Sequence, residues 1–448
     1  MRSLRWIIAG TTCLALAVSC ETRAASEPDI SGGALSLADA QALALRNHPA
    51  IAAESARASA SGETVVEAKS ALYPQLYGAA NKVFAGSNTR VTAPAGALNN
   101  PSILAHGSAG VSVTQLITDF GRQSDIISAS EAALRSEQDR VDATRDIVLF
   151  HATEAYYNVL RAQALLKVAR GTVKTRSTLY DQISRLRSAQ LKSDLDVSYA
   201  KLGLDQANLV LNRAEANLND AWARLAEALG LPSARQFALT SAAKDVPPLA
   251  GTEDEAVAEA LARNPELQAI QASRDAAHAQ ADADAKARLP VVSAGGFAGI
   301  NPLRESDQRL SSNYAAGGIV ITIPLYTGGR LTAQERRSAF VATAADRDVD
   351  AARNALGRDV QLAWDSADTA YRNIAVTQQL RESSDKALDL TRARYDIGSS
   401  SIVDLQQAEV GALEAEIAEG NARYDYLIER AFLLYREGGN AIAGATDQ

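Results

Sequence analysis

A regular pattern of large apolar residues and alanines runs along residues 197–228. The spacing between these positions alternates between three and four, which is the heptad pattern of a helix packed against other helices. A second apolar stripe lies on the opposite side of the same helix and recurs every seven residues, at Leu195, Leu202 and Leu209. One stripe is enough for a two-stranded coiled coil. Two stripes predict a neighbouring helix on each side, as in a curved wall of helices.

The same spacing returns in the second half of the chain, at residues 349–374 and 408–427. The helix predicted from Arg330 to Ile397 has about 68 residues and a length of roughly 100 Å. Ordinary globular helices are several times shorter. The pattern therefore predicts a mostly α-helical protein built from very long helices.

Four short segments interrupt the helical pattern, at about 76–86, 107–118, 290–300 and 314–324. Residues 111–115 alternate between apolar and polar side chains, as a membrane strand with one lipid face and one wet face does. Four strands of about ten residues cannot close a barrel and leave two unpaired edges. Three chains would supply about twelve strands and pair every edge. The alternative is a pair of soluble hairpins that cap a helical bundle.

These elements occur twice in the same order. The sequence ALRNHP at 44–49 returns as ALARNP at 260–265, and FGR at 120–122 returns as GGR at 328–330. Internal repeats of this kind indicate a duplicated structural unit. We expect a first repeat at 35–230, a linker at 231–252, a second repeat at 253–438 and a C-terminal tail at 439–448.

The N-terminus has the pattern of an export signal. Two arginines precede an apolar run at 6–18, which is too short to span a bilayer as a helix. Cleavage after Ala24 would remove residues 1–24. Lipoprotein processing would instead remove residues 1–19 and lipidate Cys20. Because both cysteines, Cys13 and Cys20, lie in this segment, the mature chain is expected to lack disulfides.

Charge and motif content exclude several functions. The net charge of −8 argues against a nucleic-acid partner, which requires a basic face. The four histidines form no HxxH or HExxH spacing, so no metal site is expected. The glycine cluster at 295–299 is not a phosphate loop, because Pro302 follows it instead of a helix, and we expect neither a cofactor nor enzymatic activity.

With these parts in order, the sequence resembles the TolC-like outer membrane efflux protein family. The segments that carry the resemblance are QLITDFGR at 115–122, PLYTGGR at 324–330, RYDIG at 394–398 and SIVD at 401–404. The resemblance implies a homotrimer in which a 12-stranded β-barrel, four strands per chain, contacts outer-membrane lipid and continues into a long-helix periplasmic barrel. It implies a passive exit duct for efflux or type I secretion.

The same resemblance implies two partners, a periplasmic adaptor and an inner-membrane ABC or RND transporter. The chain would then lie in the outer membrane of a Gram-negative bacterium and extend into the periplasm. An alternative function is a periplasmic helical-hairpin adaptor or a structural coiled-coil protein. An adaptor should carry a soluble β domain between its helices, and no such domain is evident in residues 72–120.

The resemblance also implies a gate at the periplasmic tip, around 190–196 and 398–404. Family members ring the closed aperture with two acidic residues spaced three apart. Asp404 matches the first and Gln407 the second, so the ring would hold three carboxylates rather than six. Carboxylate rings favour cations. The alternative for both Asp404 and Asp196 is that they only cap helices.

Family members lock the closed tip by contacts from a tyrosine and an arginine on one helix pair to an aspartate on the other. Tyr395 and Asp196 match this pattern, but Ser400 occupies the arginine position. We therefore expect a weaker lock, made by Tyr395 and hydroxyl groups. Nearby charged residues that could replace the arginine are Lys192, Asp194 and Arg394.

Overall fold

The computed structural model of the protein describes residues 34–83, 91–92, 102–103, 106–233, 236–240, 246–300 and 313–438. The predicted export signal, with the possible lipidation site Cys20, and the predicted tail at 439–448 lie outside the described residues.

Long helices account for most of the described chain. The helices are α1 (Leu37–Asn47), α2 (Pro49–Ser70), α3 (Arg122–Ser188), α4 (Asp194–Ala228), α5 (Glu253–Arg263), α6 (Pro265–Ala285), α7 (Arg330–Asp396) and α8 (Ile402–Glu437). A short 3₁₀ turn, Lys286–Arg288, follows α6. Helices α3 and α7 have 67 residues each, and they begin at Arg122 and Arg330. These equal lengths reproduce the duplication seen in the sequence.

Four strands form one antiparallel sheet in the order β1-β4-β5-β6. They are β1 (Gln75–Val83), β4 (His106–Thr118), β5 (Val291–Ile300) and β6 (Asn313–Thr322), while β2 (Val91–Thr92) and β3 (Ser102–Ile103) pair separately. Strands β4 and β5 join the two repeats, with Val113 opposite Gly296. Within the described strands, β1 and β6 each have one partner, so the sheet has two unpaired edges.

The last predicted strand is shorter than expected. Its predicted range was 314–324, but the ladder ends where Thr322 pairs with Val291. Pro324 has no backbone N–H to donate to a neighbouring strand, and it restricts the conformation of Ile323 before it. Proline therefore acts here as the exit from the sheet rather than as its final residue.

Serine and threonine side chains set the starts of several helices. Ser36, Ser193, Thr252 and Ser401 are N-caps, and each forms a capping box with an acidic residue three positions later. In such a box the hydroxyl satisfies a free N–H of the first helical turn, and the carboxylate satisfies the N–H of the cap residue. Two of these four boxes lie at the turns between the long helices.

The heptad positions of α4 behave as the sequence predicts on one side of the helix. Ala200, Ala207 and Ala214 are buried against α3. The second stripe is uncovered, with Leu195 62% exposed, Leu202 47% and Leu209 58%. Large apolar side chains stabilise a fold when they are buried, and these three gain no such stabilisation while they remain exposed to water. The described part of one chain thus supplies one of the two neighbours that the pattern predicts.

The start of the first repeat packs into a core with residues of α3 and α4. Tyr156 of α3 is buried in this core, and its single hydroxyl proton is shared between the carbonyl oxygens of Thr240, at 2.7 Å, and Leu35, at 3.0 Å. Leu35 forms a parallel bridge with Leu239. The segment after α4 is therefore attached to the start of the first repeat. None of the helices in the described ranges combines the length and apolar character needed to cross a membrane.

Candidate functional site

The two turns between long helices share one apolar core. Its buried residues come from all four long helices: Leu179, Ile183, Ala200, Tyr395, Ile402 and Leu405. Helices α3 and α8 contact each other, as do α3 with α4 and α7 with α8. Both helix-helix turns therefore lie at the same end of the helical assembly, which we call the tip.

The first tip turn follows α3. Gln190 has a φ of 63°, and the N–H of Leu191 donates to the carbonyl of Leu186 at 2.9 Å. Left-handed backbone here satisfies carbonyls that the helix end would leave free. The N–H of Ser193 then donates to Asp196 at 2.9 Å and opens α4. The N–H and hydroxyl of Ser193 both bind the same carboxylate oxygen.

Asp196 acts in this turn as a capping carboxylate. Its hydrogen bonds from Ser193 and the charge of Lys192 hold the pKa of its carboxyl below the usual value, although partial burial opposes this. Arg187 at the end of α3 pairs with Asp194 at 2.7 Å. Opposite charges placed at the C-terminus of one helix and the N-terminus of the next suit both helix dipoles. The first tip turn is therefore a charged turn.

The second tip turn follows α7 and repeats this backbone. Gly398 has a φ of 74°, and the N–H of Ser399 donates to the carbonyl of Arg394 at 2.8 Å. Asp404 accepts hydrogen bonds from the N–H and hydroxyl of Ser401, at 2.9 and 2.8 Å, and from the hydroxyl of Ser400 at 3.0 Å. These bonds lower the pKa of the Asp404 carboxyl.

The predicted aperture residues Asp404 and Gln407 lie at the start of α8. Both side chains are exposed and are therefore free to face an aperture. Asp404 is also the acidic member of a capping box, and so is Asp196. Neither aspartate is the N-cap itself, as the capping alternative supposed, because that position is a serine in both turns. A ring role for Asp404 is compatible with its capping role.

The residues of the predicted lock have the following contacts within one chain. Tyr395 is buried, and its hydroxyl has no hydrogen-bond partner among the described residues. Asp196 bonds within its own turn, and Ser400 bonds to Asp404. The connection between the turns is made by Lys192, whose ammonium lies 3.8 Å from the centre of the Tyr395 ring. A cation over an aromatic ring is attracted by the ring's negative face.

A buried ion pair near the tip was missed from the sequence. Arg176 of α3 contacts Glu409 of α8, and their side chains are only 8% and 6% exposed. Arg392 of α7 approaches the other carboxylate oxygen at 3.9 Å. Glu409 occupies a heptad core position, since Ile402, Leu405, Glu409 and Ala412 follow three-four-three spacing, and Arg176 does so on α3, between Val173 and Tyr180. A charged residue at a core position was the sequence signal that could have identified the pair.

Helix α4 is adapted to this pair at Gly203. A Cβ at this position would meet the guanidinium of Arg176 at 3.1 Å and the amide nitrogen of Gln406 at 3.0 Å. Gln406 in turn donates to the backbone carbonyl of Tyr199 on α4. All four long helices therefore contribute to one polar cluster inside an otherwise apolar seam.

The metal-site expectation from the sequence concerns the four histidines. Among the described residues, no group of three or more histidine, cysteine, aspartate or glutamate side chains is arranged to hold a metal ion. His48, which stands in the repeated turn, accepts a hydrogen bond from the N–H of Ala50 and caps α2.

The model of the family described as "Outer membrane efflux protein" matches residues 41–231 and 256–434. The two matched segments coincide with most of each repeat. The chain is similar to the outer membrane protein TolC of Vibrio cholerae, with 25% identity over 88% of each chain. It is also similar to the outer membrane efflux protein BepC of Brucella suis, with 25% identity over 84% of this chain and 79% of that one.

A solved structure, of a membrane protein from Pseudomonas aeruginosa, superposes with a TM-score of 0.78. It shares 22% identity and covers 90% of this chain, and the superposition covers 93% of that chain. The predicted fold class, mostly α-helical with a small four-stranded β part, is confirmed by this agreement and by the sheet described above.

Proposed function

Since this chain belongs to the outer membrane efflux protein family, we propose that three copies of it assemble into a passive exit duct. The chain is an outer-membrane channel protein, and its predicted location in the outer membrane of a Gram-negative bacterium is supported by the same matches. The alternative of a periplasmic adaptor or structural coiled coil is not supported.

The single observation that carries the assembly is the sheet with its two unpaired edges. Strands β1 and β6 end a sheet of about ten-residue strands, and four such strands cannot close on themselves. Unpaired edges invite pairing with another chain. Pairing β6 of one copy with β1 of the next, three times, gives a closed barrel of twelve strands. A β-sheet must be closed in this way to span a membrane.

The helices support the same assembly. The stripe at Leu195, Leu202 and Leu209 is uncovered in one chain. Further apolar side chains are exposed on α7, at Val376, Leu380 and Leu390. Helices α4 and α7 contact their own pair partners α3 and α8. We propose that these stripes are covered by neighbouring copies in a helical barrel that continues the β-barrel into the periplasm.

The duct needs partners that supply energy and substrate. One matched relative is named an outer membrane efflux protein, and we propose that this chain works with a periplasmic adaptor and an inner-membrane ABC or RND transporter. The adaptor would bind near the tip, and outer-membrane lipid would surround the barrel. No enzymatic step is required of a passive duct.

At the tip, we propose that Asp404 from three copies rings the aperture with three carboxylates, while Gln407 takes the neighbouring ring. Asp404 is exposed, and its lowered pKa keeps it ionised at neutral pH. Rings of carboxylates attract cations and slow their passage when a divalent ion binds.

The first test is assembly and conductance. Protein extracted from outer membranes in detergent should migrate as a trimer that resists mild SDS, and it should form pores in planar bilayers. A purely soluble periplasmic protein would contradict the duct.

The second test compares two aspartates with the same local role. Asp404→Ala and Asp196→Ala each remove the carboxylate of a capping box, so the local loss is matched. We expect Asp404→Ala to weaken block of the pore by divalent cations and Asp196→Ala to leave the block unchanged. If block is unchanged in both variants, Asp404 is a helix-capping residue without a role in the aperture.

A further inference from the structure

The Arg176–Glu409 ion pair is the only buried contact between oppositely charged side chains among the salt bridges of the described residues. The next most similar contact, Arg161 with Asp425, joins the same two helices α3 and α8 at 2.7 Å. Its side chains are 38% and 47% exposed, whereas those of Arg176 and Glu409 are 8% and 6% exposed. The two contacts therefore differ chiefly in burial.

The pair occupies positions where the heptad pattern asks for apolar residues. On α3, Leu166, Ala169, Val173, Arg176, Tyr180 and Ile183 follow alternating three and four spacing. On α8, Glu409 stands between Leu405 and Ala412. Replacing a buried ion pair as a whole by apolar residues of similar volume is often neutral or stabilising. Packing of the seam therefore does not by itself require charges at these two positions.

The surroundings are shaped around the charges. Gly203 leaves room for the guanidinium of Arg176, and a side chain there would contact it. Arg392 approaches Glu409 from α7, so the carboxylate lies between guanidinium groups of both helix pairs. The cluster joins the α3–α4 pair to the α7–α8 pair close to the turns that form the tip.

Burial disfavours the charged form of both partners. It raises the pKa of Glu409 against the opposing influence of Arg176 and Arg392. It lowers the pKa of Arg176 against the influence of Glu409. Each ion would regain hydration if the helix pairs separated, so the contact holds only while both partners are present.

We propose that Arg176 and Glu409, assisted by Arg392, are positioning residues that hold the two helix pairs together at the tip and so restrain opening of the duct. This inference rests on the proposed duct function. It places the charged restraint inside the seam, between α3 and α8, rather than at Ser400, where the family pattern has an arginine. When the pairs are together, removing Glu409 leaves Arg176 buried without its partner, and removing Arg176 leaves Glu409 buried with only Arg392 at 3.9 Å. Either charge is hydrated when the pairs separate. Loss of one partner therefore shifts the equilibrium towards the separated arrangement.

The test is planar-bilayer conductance of purified full-length trimers carrying Arg176→Gln or Glu409→Gln. We expect each variant to raise the open fraction by at least about tenfold, because removal of one member of a buried pair costs well over the free energy that a tenfold shift needs. Arg392→Gln should have a smaller effect in the same direction. The charge-exchanged variant Arg176→Glu/Glu409→Arg should recover only part of the parent's behaviour, because the arginine at position 409 would face Arg392; adding Arg392→Gln to the exchange should complete the recovery.

Arg161→Gln and Asp425→Gln are the matched controls, because they remove an exposed ion pair from the same helices. These variants should conduct like the parent. Thermal unfolding and SDS-resistant trimer content are measured in parallel, since a purely structural role would lower both without changing the open fraction of the trimers that remain.

Single variants that assemble normally and conduct like the parent would overturn the proposal. Should Arg176→Gln and Glu409→Gln fail to assemble, Arg392→Gln decides, and unchanged conductance there counts against the restraint. A parent protein that forms neither trimers nor pores would refute the duct itself, which is a separate outcome.

Discussion

The two tip turns have the same backbone but different side chains. Each passes through one residue at positive φ, and each leads into a serine–aspartate capping box. With α3 and α7 aligned from their first residues, the matched positions are Gln190 with Gly398, Lys192 with Ser400, Ser193 with Ser401 and Asp196 with Asp404. The first turn is charged, and the second is rich in hydroxyl groups.

The difference shows which positions serve the backbone and which are free to vary. The capping boxes are present in both copies because the first N–H groups of α4 and α8 need acceptors. Lys192 and Ser400 are not members of the capping boxes, so the residue type at this position can differ between the two turns. The lysine of the first turn reaches Tyr395 of the second repeat. A basic group is thus available at the tip, although it comes from the helix pair opposite to the one expected.

The same comparison extends along α3 and α7, and here the largest effect is expected. Asp146 is buried in α3, whereas the matched position in α7 is the exposed Asn354. Burial raises the pKa of Asp146 to about 6, with a further increase from Asp142. Asp146→Asn makes α3 resemble α7 at this position and removes the titration.

The direction in which stability changes with pH follows from proton binding. The folded protein binds the Asp146 proton more tightly than the unfolded chain, so this group's contribution is most favourable below pH 4 and is lost as pH rises through about 6. At pH 7 we expect Asp146→Asn to be more stable than the parent by about 2 to 3 kcal/mol, with no difference near pH 4. Thermal unfolding followed by circular dichroism over this pH range measures the difference.

A second partly buried carboxyl, that of Glu437, titrates in the same pH range and must be separated from Asp146. Its pKa is raised to about 7 by burial and by Glu259, and it is present in both proteins. The parent-minus-variant difference therefore isolates Asp146. A difference that does not change between pH 4 and pH 7 would show that Asp146 is hydrated in solution.

The second effect concerns the residue at positive φ in each turn. Gly398→Gln gives the second turn the residue of the first. A Cβ at Gly398 has no atom within 4 Å, so the cost is backbone strain alone. Left-handed backbone costs a residue with a side chain about 1 to 2 kcal/mol, and the melting temperature should fall. The reciprocal Gln190→Gly should raise it, reduced by the entropy that glycine loses on folding.

If both substitutions lower the melting temperature, the Gln190 side chain contributes more to the first turn than its strain costs. That result would mean that the turns differ in packing as well as in chemistry.

Much of this architecture follows from local sequence signals. The heptad spacing predicts α4, and Asp196 and Asp404 mark the helix starts to within three residues. The end of β6 was wrong by two residues because β-branched side chains continue to Ile323 while the ladder stops before Pro324. Arg176 and Glu409 are 233 positions apart in the sequence, and only the packing of α3 against α8 brings them together. Alternating spacing identifies a core position, but it does not say which residue of another helix meets it.

The third effect tests the contact between the turns. Lys192→Gln removes the charge over the Tyr395 ring while keeping most of the side-chain length. We expect a loss of about 0.5 to 1 kcal/mol, seen as a lower melting temperature of the trimer. Lys201→Gln is the control, since Lys201 lies in the adjacent helix α4 and pairs with the exposed Asp205 within that helix. Equal effects of the two variants would remove the special role of Lys192.

The smallest effect is expected from Tyr395→Phe, which separates two forms of the lock. If the lock depends on the tyrosine hydroxyl, its loss should destabilise the tip and raise pore conductance. In this structure the hydroxyl is buried and has no hydrogen-bond partner among the described residues, whereas the ring packs in the shared apolar core and under Lys192. Removing an unsatisfied buried hydroxyl is neutral or slightly stabilising. We therefore expect unchanged conductance and an unchanged or slightly higher melting temperature, while Tyr395→Ala, which removes the ring, should lower the melting temperature clearly. A rise in conductance with Tyr395→Phe would show that the hydroxyl finds a partner in the assembled trimer, and the second turn would then contribute to the lock through a hydroxyl group as the sequence predicted.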